Sequence, residues 1–296
     1  MMEPQWPLIV FTLLICLGAG VFGVAGVLAG LKKGATIQMT AVLISLVAVV
    51  LGGVASFLHL QHFDRAFNGF GHLTSGITQE LIALAVFCIV AVIFMVLIRR
   101  GGVPVWAGWV AAAVSVAVVI TMANSYTMAA RPLWNSPLLW LYYLANAVLF
   151  GGLVVLILSF AKHTGASEFS LSSKIALVGA GLSIVVLIGY AVFIPASSAA
   201  FTSVGNYFDP THPTRAMADP QGVLSGFLSG DQALPFWGGA LVVGALVPLV
   251  LVWLAGKRQK AGAVGFATLG IICALAGGLC FRVILYALGF SVLVFY

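Results

Sequence analysis

Long apolar segments separated by short polar connections make up almost the whole chain. A helix needs about 20 apolar residues to cross about 30 Å of hydrocarbon. Because lipid offers no hydrogen-bonding partners to the backbone, segments that cross it must be helices. The sequence therefore predicts an all-α polytopic membrane protein with eight transmembrane helices, at residues 7–31, 36–58, 77–98, 103–126, 137–161, 174–197, 234–256 and 262–291.

The composition supports this prediction. Of the 296 residues, 62% are hydrophobic and only 7% are charged, whereas a soluble domain carries about 25% charged residues. Too few polar side chains are available to cover a surface in water. This excludes a soluble enzyme, a nucleic-acid-binding domain and a disordered protein. We expect one integral membrane domain over residues 1–296, with a long loop at 198–233.

The basic residues fall on alternate connections and predict the topology. Nine of the thirteen Lys and Arg residues lie in the connections 31–36, 99–102, 162–174 and 257–261. Basic loops remain in the cytoplasm. Both termini and the other connections are therefore expected on the outer, periplasmic side of the cytoplasmic (inner) membrane. The net charge of +6 then reflects topology and not a nucleic-acid partner.

Glycines follow a regular pattern in the first span. The segment from Gly18 to Gly23 matches GxGxxG, but a dinucleotide-binding fingerprint requires a preceding strand and a βαβ unit. Inside a membrane span, and together with Gly26 and Gly30, the pattern indicates a face of small residues. Such faces allow two helices to approach closely.

The distribution of histidines and cysteines disfavours bound metal cofactors. A b-type haem between helices needs two axial ligands at membrane depth, and no span carries paired histidines in its interior. The cysteines lie in apolar runs and form no CxxC pair. We expect no haem and no iron–sulfur cluster in this chain. His59, His62 and His72 leave a metal site as an alternative, although their spacing fits no standard pattern.

Polar residues gather where the spans meet the outer side. They are His59 and Arg65 after the second span, Glu80 in the first turns of the third, Tyr126 at the end of the fourth, and Arg282 with Tyr286 on one face of the last. Ionisable groups within spans are costly, and their presence favours a functional site.

His59 and Glu80 suit a reaction that releases protons at the membrane edge. Histidine titrates near neutrality, and a partly buried carboxylate can approach the same range. Such a pair could accept the two protons that a hydroquinone loses with its two electrons. Alternatively, His59 caps the second helix and Glu80 stabilises a helix N-terminus.

Five motifs in order resemble the membrane-anchor subunit family of dimethyl sulfoxide reductase, within the broader class of polysulfide reductase anchors. They are QWPLIVFTLL at the N-terminus, ASFLHLQHFDRAFN around His59, SGITQE ending at Glu80, RPLW after Tyr126, and FRVILYALG in the last span. Eight spans with both termini outside also match this family. The chain departs from it at Gln61 and Phe63, where the family often has glycine and proline.

The resemblance implies a function. The family's anchor binds menaquinol near its outer edge in anaerobic respiration. Electrons pass to an iron–sulfur subunit docked on that face and then to a molybdopterin catalytic subunit. By this match His59 and Glu80 would deprotonate the quinol. Arg65 would bind the head group or the partner subunit, while Tyr126, Arg282 and Tyr286 would line or support the pocket.

Two other functions remain open from the residues alone. A transporter of small solutes or ions would need a polar pathway across the bilayer midplane, often with broken helices. The spans contain few midplane charges, and their polar groups gather on one side. A purely structural anchor would have no quinone site. In every case the terminal reduction would lie in another subunit.

Overall fold

The computed structural model describes residues 4–58, 72–201, 219–257 and 260–292, and regular structure in these ranges is helical. The helices are α1 (Trp6–Gly30), α2 (Ala35–Phe57), α3 (Gly76–Arg99), α4 (Val105–Tyr126), α5 (Pro137–Ala161), α6 (Ala166–Ser197), α7 (Pro220–Ser225), α8 (Pro235–Lys257) and α9 (Lys260–Ala287). All except the short α7 provide a segment long and apolar enough to cross a membrane. The all-α class and the eight predicted spans are confirmed.

Three helices form the centre of the bundle. α1 packs against α2, α4 and α5, while α5 also packs against α6 and α9. α8 covers the far side of α9, and α3 contacts mainly α4. The central helices α1, α5 and α9 therefore meet inside the protein, where side chains from all three can share one buried site.

The outer helices carry apolar side chains both on the side that faces the protein interior and on the side that faces outward. On α3, Phe87 and Phe94 point inward and pack edge-on against Phe22 of α1, with ring centroids 5.2 Å apart. Ile89 and Val92 of the same helix are about half exposed. A helix that is apolar on all sides is typical of a membrane span, because lipid replaces water as its outer neighbour.

The predicted face of small residues on α1 is confirmed. A Cβ atom added to Gly26 would lie 2.7 Å from the backbone oxygen of Gly108 on α4. One added to Gly20 would overlap the backbone of Ala147 on α5. Glycine is required at these contacts because any side chain would separate the helix backbones.

The connection predicted over 162–174 is shorter than expected, since only its first residues, 162–165, are non-helical. α6 begins at Ala166, so Lys174 lies within a helix. Glu168 in the first turn interacts favourably with the helix dipole, and Ser172 Oγ donates to the Glu168 carbonyl oxygen at 2.8 Å. Hydropathy identifies the membrane-spanning part of a helix but misses polar turns that extend beyond it.

The predicted long loop at 198–233 contains short helical elements. A 3₁₀ turn covers Ser198–Ala200, and α7 begins after Asp219. The Asp219 carboxylate caps α7 by accepting from the backbone N–H of Gly222 at 2.9 Å. Residues 202–218 lie outside the described residues.

The last two spans pack through glycines as well. The first half of α8, Pro235–Leu246, is π-helical. Gly244 in this half lies so close to Gly277 of α9 that a Cβ atom on either residue would overlap the other helix. This contact places α8 and α9 backbone to backbone.

Candidate functional site

Glu80 lies one turn into α3, beside the end of α4. The two helices are joined here by a hydrogen bond from Ser125 Oγ to the Gly76 carbonyl oxygen at 3.0 Å. Glu80 Oε1 is buried and has no hydrogen-bond partner among the described residues. A buried polar atom without a partner is costly and indicates a missing ligand, water or side chain. We call this end of the bundle, where α3 and α5 begin and α4 and α9 end, the Glu80 face.

Three tyrosines lie near the carboxyl group. Tyr126 of α4, Tyr143 of α5 and Tyr286 of α9 all lie within electrostatic range of Glu80. Tyr286 Oη is also buried and lacks a hydrogen-bond partner among the described residues. A buried hydroxyl and a buried carboxyl oxygen thus occur in one neighbourhood.

Contacts between aromatic rings join these three tyrosines and Trp134 into one cluster, which we call the aromatic wall. Trp134 packs against Tyr286 and Tyr126, with ring centroids 5.2 and 6.1 Å away. Tyr126 and Tyr143 are 6.5 Å apart. These edge-to-face arrangements are favourable for aromatic pairs. The wall combines apolar ring faces with hydroxyl groups, as a site for a flat, partly polar molecule requires.

Arg282 lies deeper in the bundle and is fully buried. Its Nε donates to Thr12 Oγ1 at 3.0 Å. Its Nη1 donates to Asn146 Oδ1 at 3.1 Å and to the Gly278 carbonyl oxygen at 2.9 Å. Its Nη2 donates to the Thr12 carbonyl oxygen and to Cys16 Sγ, both at 3.3 Å. A guanidinium has five N–H donors, and these contacts with neutral groups account for all of them.

Hydrogen bonds join the connection between α4 and α5 to the end of α9. Trp134 Nε1 donates to the Leu285 carbonyl oxygen at 2.8 Å. Arg131 donates to the Gly289 carbonyl oxygen, and its guanidinium lies 4.7 Å from the Trp134 ring centroid. These contacts hold the aromatic wall in place from outside the helices.

Trp134→Phe should lower the stability of the protein by at least about 1 kcal/mol, because the bond to Leu285 is lost and the smaller ring leaves part of the buried indole site unfilled. Thermal unfolding in detergent measures the effect. Trp140→Phe is the matched control, since Trp140 is 38% exposed on α5 and should change stability little. Equal unfolding temperatures for the two variants would contradict a stabilising role for the Trp134 bond.

The structure brings together only part of the predicted site. Glu80, Tyr126 and Tyr286 are close together, and Arg282 lies deeper on the same face of α9 as Tyr286. His59 and Arg65 lie outside the described residues, so their places in the site remain predictions. Over the described ranges, His, Cys, Asp and Glu residues form no group of three that could hold a metal ion.

Sequence reasoning missed Tyr143, Trp134 and the partners of Arg282. Tyr142 and Asn146 are four residues apart on α5 and share one helix face. Asparagine is uncommon in a membrane span, and its spacing from the tyrosines was a usable signal. Trp134 belongs to the RPLW motif, but its residue type gave no sign of a place in the site because aromatic residues are common at membrane edges.

The fold and the site define a multi-pass helical membrane protein with a buried acidic and aromatic site near one membrane edge. The family model for the DMSO reductase anchor subunit (DmsC) matches residues 2–288. The chain belongs to this family, and it is therefore the membrane anchor of a complex with catalytic and electron-transfer subunits. A search of curated proteins gave no match.

Proposed function

We propose that the protein oxidises menaquinol at the Glu80 face and passes the electrons to an iron–sulfur subunit. The observation that carries this proposal is the buried Glu80 Oε1, which has no hydrogen-bond partner in the part of the chain that the structure describes and lies near the rings of Tyr126 and Tyr286. A quinol would supply the missing partners, because its hydroxyl groups both donate and accept hydrogen bonds. The site belongs to a membrane anchor that must serve an electron-transfer subunit.

The residues of the site fit a quinol in shape as well as in polarity. Menaquinol carries a flat aromatic head, and the rings of Tyr126, Trp134 and Tyr286 form a wall of edge-to-face contacts. The lipid-soluble tail of such a molecule would remain among apolar helix surfaces. A water-soluble donor would gain nothing from a site within a membrane span.

Glu80 takes one proton as the quinol is oxidised, and His59 takes the other. Oxidation removes two electrons and two protons from each quinol, which leaves as quinone. Glu80 provides a carboxylate where the proton must go, and histidine titrates at the working pH. Arg65 would bind the head group or the partner subunit.

The two electrons leave through the partner subunits. The iron–sulfur subunit accepts them and delivers them to the molybdopterin subunit, where the terminal reduction takes place. The iron–sulfur subunit would dock on the Glu80 face so that its nearest cluster lies close to the quinol. From the distribution of basic residues, we infer that this is the periplasmic side of the cytoplasmic membrane.

The assembled complex should be reduced by a menaquinol analogue without any other donor. The measurement is the loss of visible absorbance of the iron–sulfur clusters after the reduced analogue is added under anaerobic conditions. A soluble chemical reductant verifies that the clusters are intact. Complex whose clusters respond to that reductant but remain oxidised with quinol would contradict the proposal and favour a purely structural anchor.

Liposomes that contain the anchor alone test the transporter alternative. We expect no solute or ion flux above that of empty liposomes. Flux that requires this chain, together with clusters that quinol cannot reduce, would replace quinol oxidation with transport as the function.

A further inference from the structure

An apolar groove lies between α4 and α5 and has α1 as its floor. Its volume is about 220 Å³, and its lining comes mainly from these three helices. We call it the α4–α5 groove. In the described part of the chain, Ser115 is the only polar side chain that lines it, and Ser115 Oγ donates to the Ala111 carbonyl oxygen at 2.8 Å. An apolar space of this kind does not retain water, so its occupant must be a hydrocarbon.

Small residues and an opening toward lipid define the groove. Within residues 18–30, α1 is buried at every position except Gly23 and Val27, and both line the groove. Ala112 of α4 lines it as well, and Val116, also in the lining, is 47% exposed. The central helix α1 therefore meets the hydrocarbon of the bilayer through this groove.

The groove and the aromatic wall share the helices α4 and α5. Tyr126 of α4 and Tyr143 of α5 belong to the aromatic wall, and their ring centroids are 6.5 Å apart. Val119 lines the groove and lies two helical turns before Tyr126, about 10 Å away along the same face of α4. Ala147 lines the groove from α5 and lies one turn after Tyr143 on the same helix face. A chain that leaves the aromatic wall along the junction of α4 and α5 therefore reaches the groove.

We propose that the α4–α5 groove holds part of the isoprenoid tail of the quinol. This rests on the proposed function and adds that the protein selects quinols with long tails. An apolar cavity of about 150 Å³ is enough for a six-carbon hydrocarbon, so the groove accepts roughly two of the five-carbon units of such a tail.

A phospholipid acyl chain is the other hydrocarbon that the bilayer offers to the groove. The quinol tail is favoured because it is attached to a head group at the aromatic wall. Attachment makes its entry into the groove an intramolecular step with a high effective concentration, whereas an acyl chain gains nothing from the neighbouring site.

Ala112→Phe should weaken the binding of long-tailed quinols only. The phenyl ring would occupy the groove and leave Glu80 and the aromatic wall unchanged. One methylene in an apolar pocket is worth roughly 10–200-fold, but lipid replaces part of the lost contacts here. We therefore expect KM for a menaquinol with four isoprenoid units to rise about five- to tenfold. Its kcat should remain within about twofold. A menaquinol with one unit, too short to reach the groove, should keep its KM.

Ala113→Phe is the matched control in the assembled complex. Ala113 is the next residue of α4, but it is exposed and is not among the residues that line the groove. The same substitution there should leave both KM values unchanged. Val148→Phe fills the groove from α5 and should reproduce the effect of Ala112→Phe, so it decides the question if Ala112→Phe does not fold. The two menaquinols partition differently into detergent or lipid, but this difference is the same for every variant.

Photolabelling locates the tail without relying on turnover. A menaquinol with a diazirine on the third unit of its tail, irradiated with the wild-type complex, should label residues of the α4–α5 groove. An excess of the four-unit menaquinol should suppress the label. Peptide mass spectrometry identifies the labelled residues.

Several outcomes would overturn the proposal. One is an unchanged KM for the four-unit menaquinol in folded Ala112→Phe and Val148→Phe. A phospholipid that copurifies with the wild-type complex but not with these variants would then assign the groove to an acyl chain. Another is an equal rise in KM for both menaquinols, because the effect would then lie at the head group. If neither menaquinol reduces the clusters of the wild-type complex, the proposed function itself fails. If both reduce them but the label lies outside the groove, only the place of the tail is wrong.

Discussion

Glu80→Gln is expected to lower quinol-dependent reduction of the complex by about 100-fold or more. A positioned acid–base group contributes about 10²–10⁴-fold to a rate, and an amide of the same shape cannot take the proton. Quinol-dependent reduction of the iron–sulfur clusters measures the loss. A soluble reductant should still reduce the clusters of the variant fully, because the change does not affect the partner subunits.

The stability of the Glu80→Gln variant should be unchanged or higher. Glu80 Oε1 is buried without a partner among the described residues, and a neutral amide is easier to bury than a carboxylate. The combination of lost activity and retained stability separates a functional carboxyl group from one that only stabilises a helix N-terminus. A variant that loses stability but keeps full turnover would support the structural role.

Glu168→Gln is the matched control for this change. Glu168 also lies near the start of a helix, in the first turn of α6, but its side chain is partly exposed. The same chemical substitution at this position should leave quinol oxidation at the wild-type rate. An equal loss in both variants would show that the assay reports a general effect of removing an acid.

His59→Ala extends the same experiment to the second proposed proton acceptor. We expect quinol-dependent reduction to be lost while the complex remains assembled. His72→Ala is its control, since His72 is an exposed histidine in the same connection. Normal turnover in an assembled His59→Ala complex would contradict the assignment of His59 to the site. Normal turnover after changing both His59 and Glu80 would favour a purely structural anchor.

The membrane helices could be predicted because length and apolar composition are sufficient to identify them. The start of α6 could not, because Glu168 and Ser172 belong to polar turns that hydropathy assigns to a loop. The π-helical half of α8 could not be predicted either. It differs from an α-helix only in its hydrogen-bond register, and an apolar sequence contains no pattern that distinguishes the two registers.

The candidate site could be predicted where a residue was unusual for a membrane span. Glu80 and Arg282 were found because charges in spans are rare. Tyr143 and Trp134 were missed because aromatic residues are common there, and their role depends on which helices meet. The position of Tyr143 beside Arg282 depends on how closely α5 packs against its neighbours, which is determined by backbone contacts between distant parts of the chain.

Two of these contacts join Gly20 of α1 to Ala147 and Gly151 of α5. A Cβ atom on Gly20 would overlap the backbone of Ala147, and one on Gly151 would overlap the backbone of Gly20. A backbone cannot move aside as a flexible side chain can, so the two helices would have to separate. The same two helices carry Thr12 and Asn146, which both bind Arg282. A shift between them would therefore disturb the interior of the site as well.

Gly20→Ala should destabilise the protein by about 1–3 kcal/mol, the usual cost of overpacking a core, and Gly20→Leu should prevent assembly of the complex. Gly181→Ala on α6 is the matched control, because a Cβ atom there meets no atom within 4 Å. That variant should be neutral or slightly more stable, since alanine favours helix more than glycine does by about 1 kcal/mol. Thermal unfolding in detergent gives both values. Opposite signs of the change in stability are the decisive result. A general effect of replacing glycine in a helix would change the stability of both variants in the same direction. A close backbone contact destabilises only Gly20→Ala.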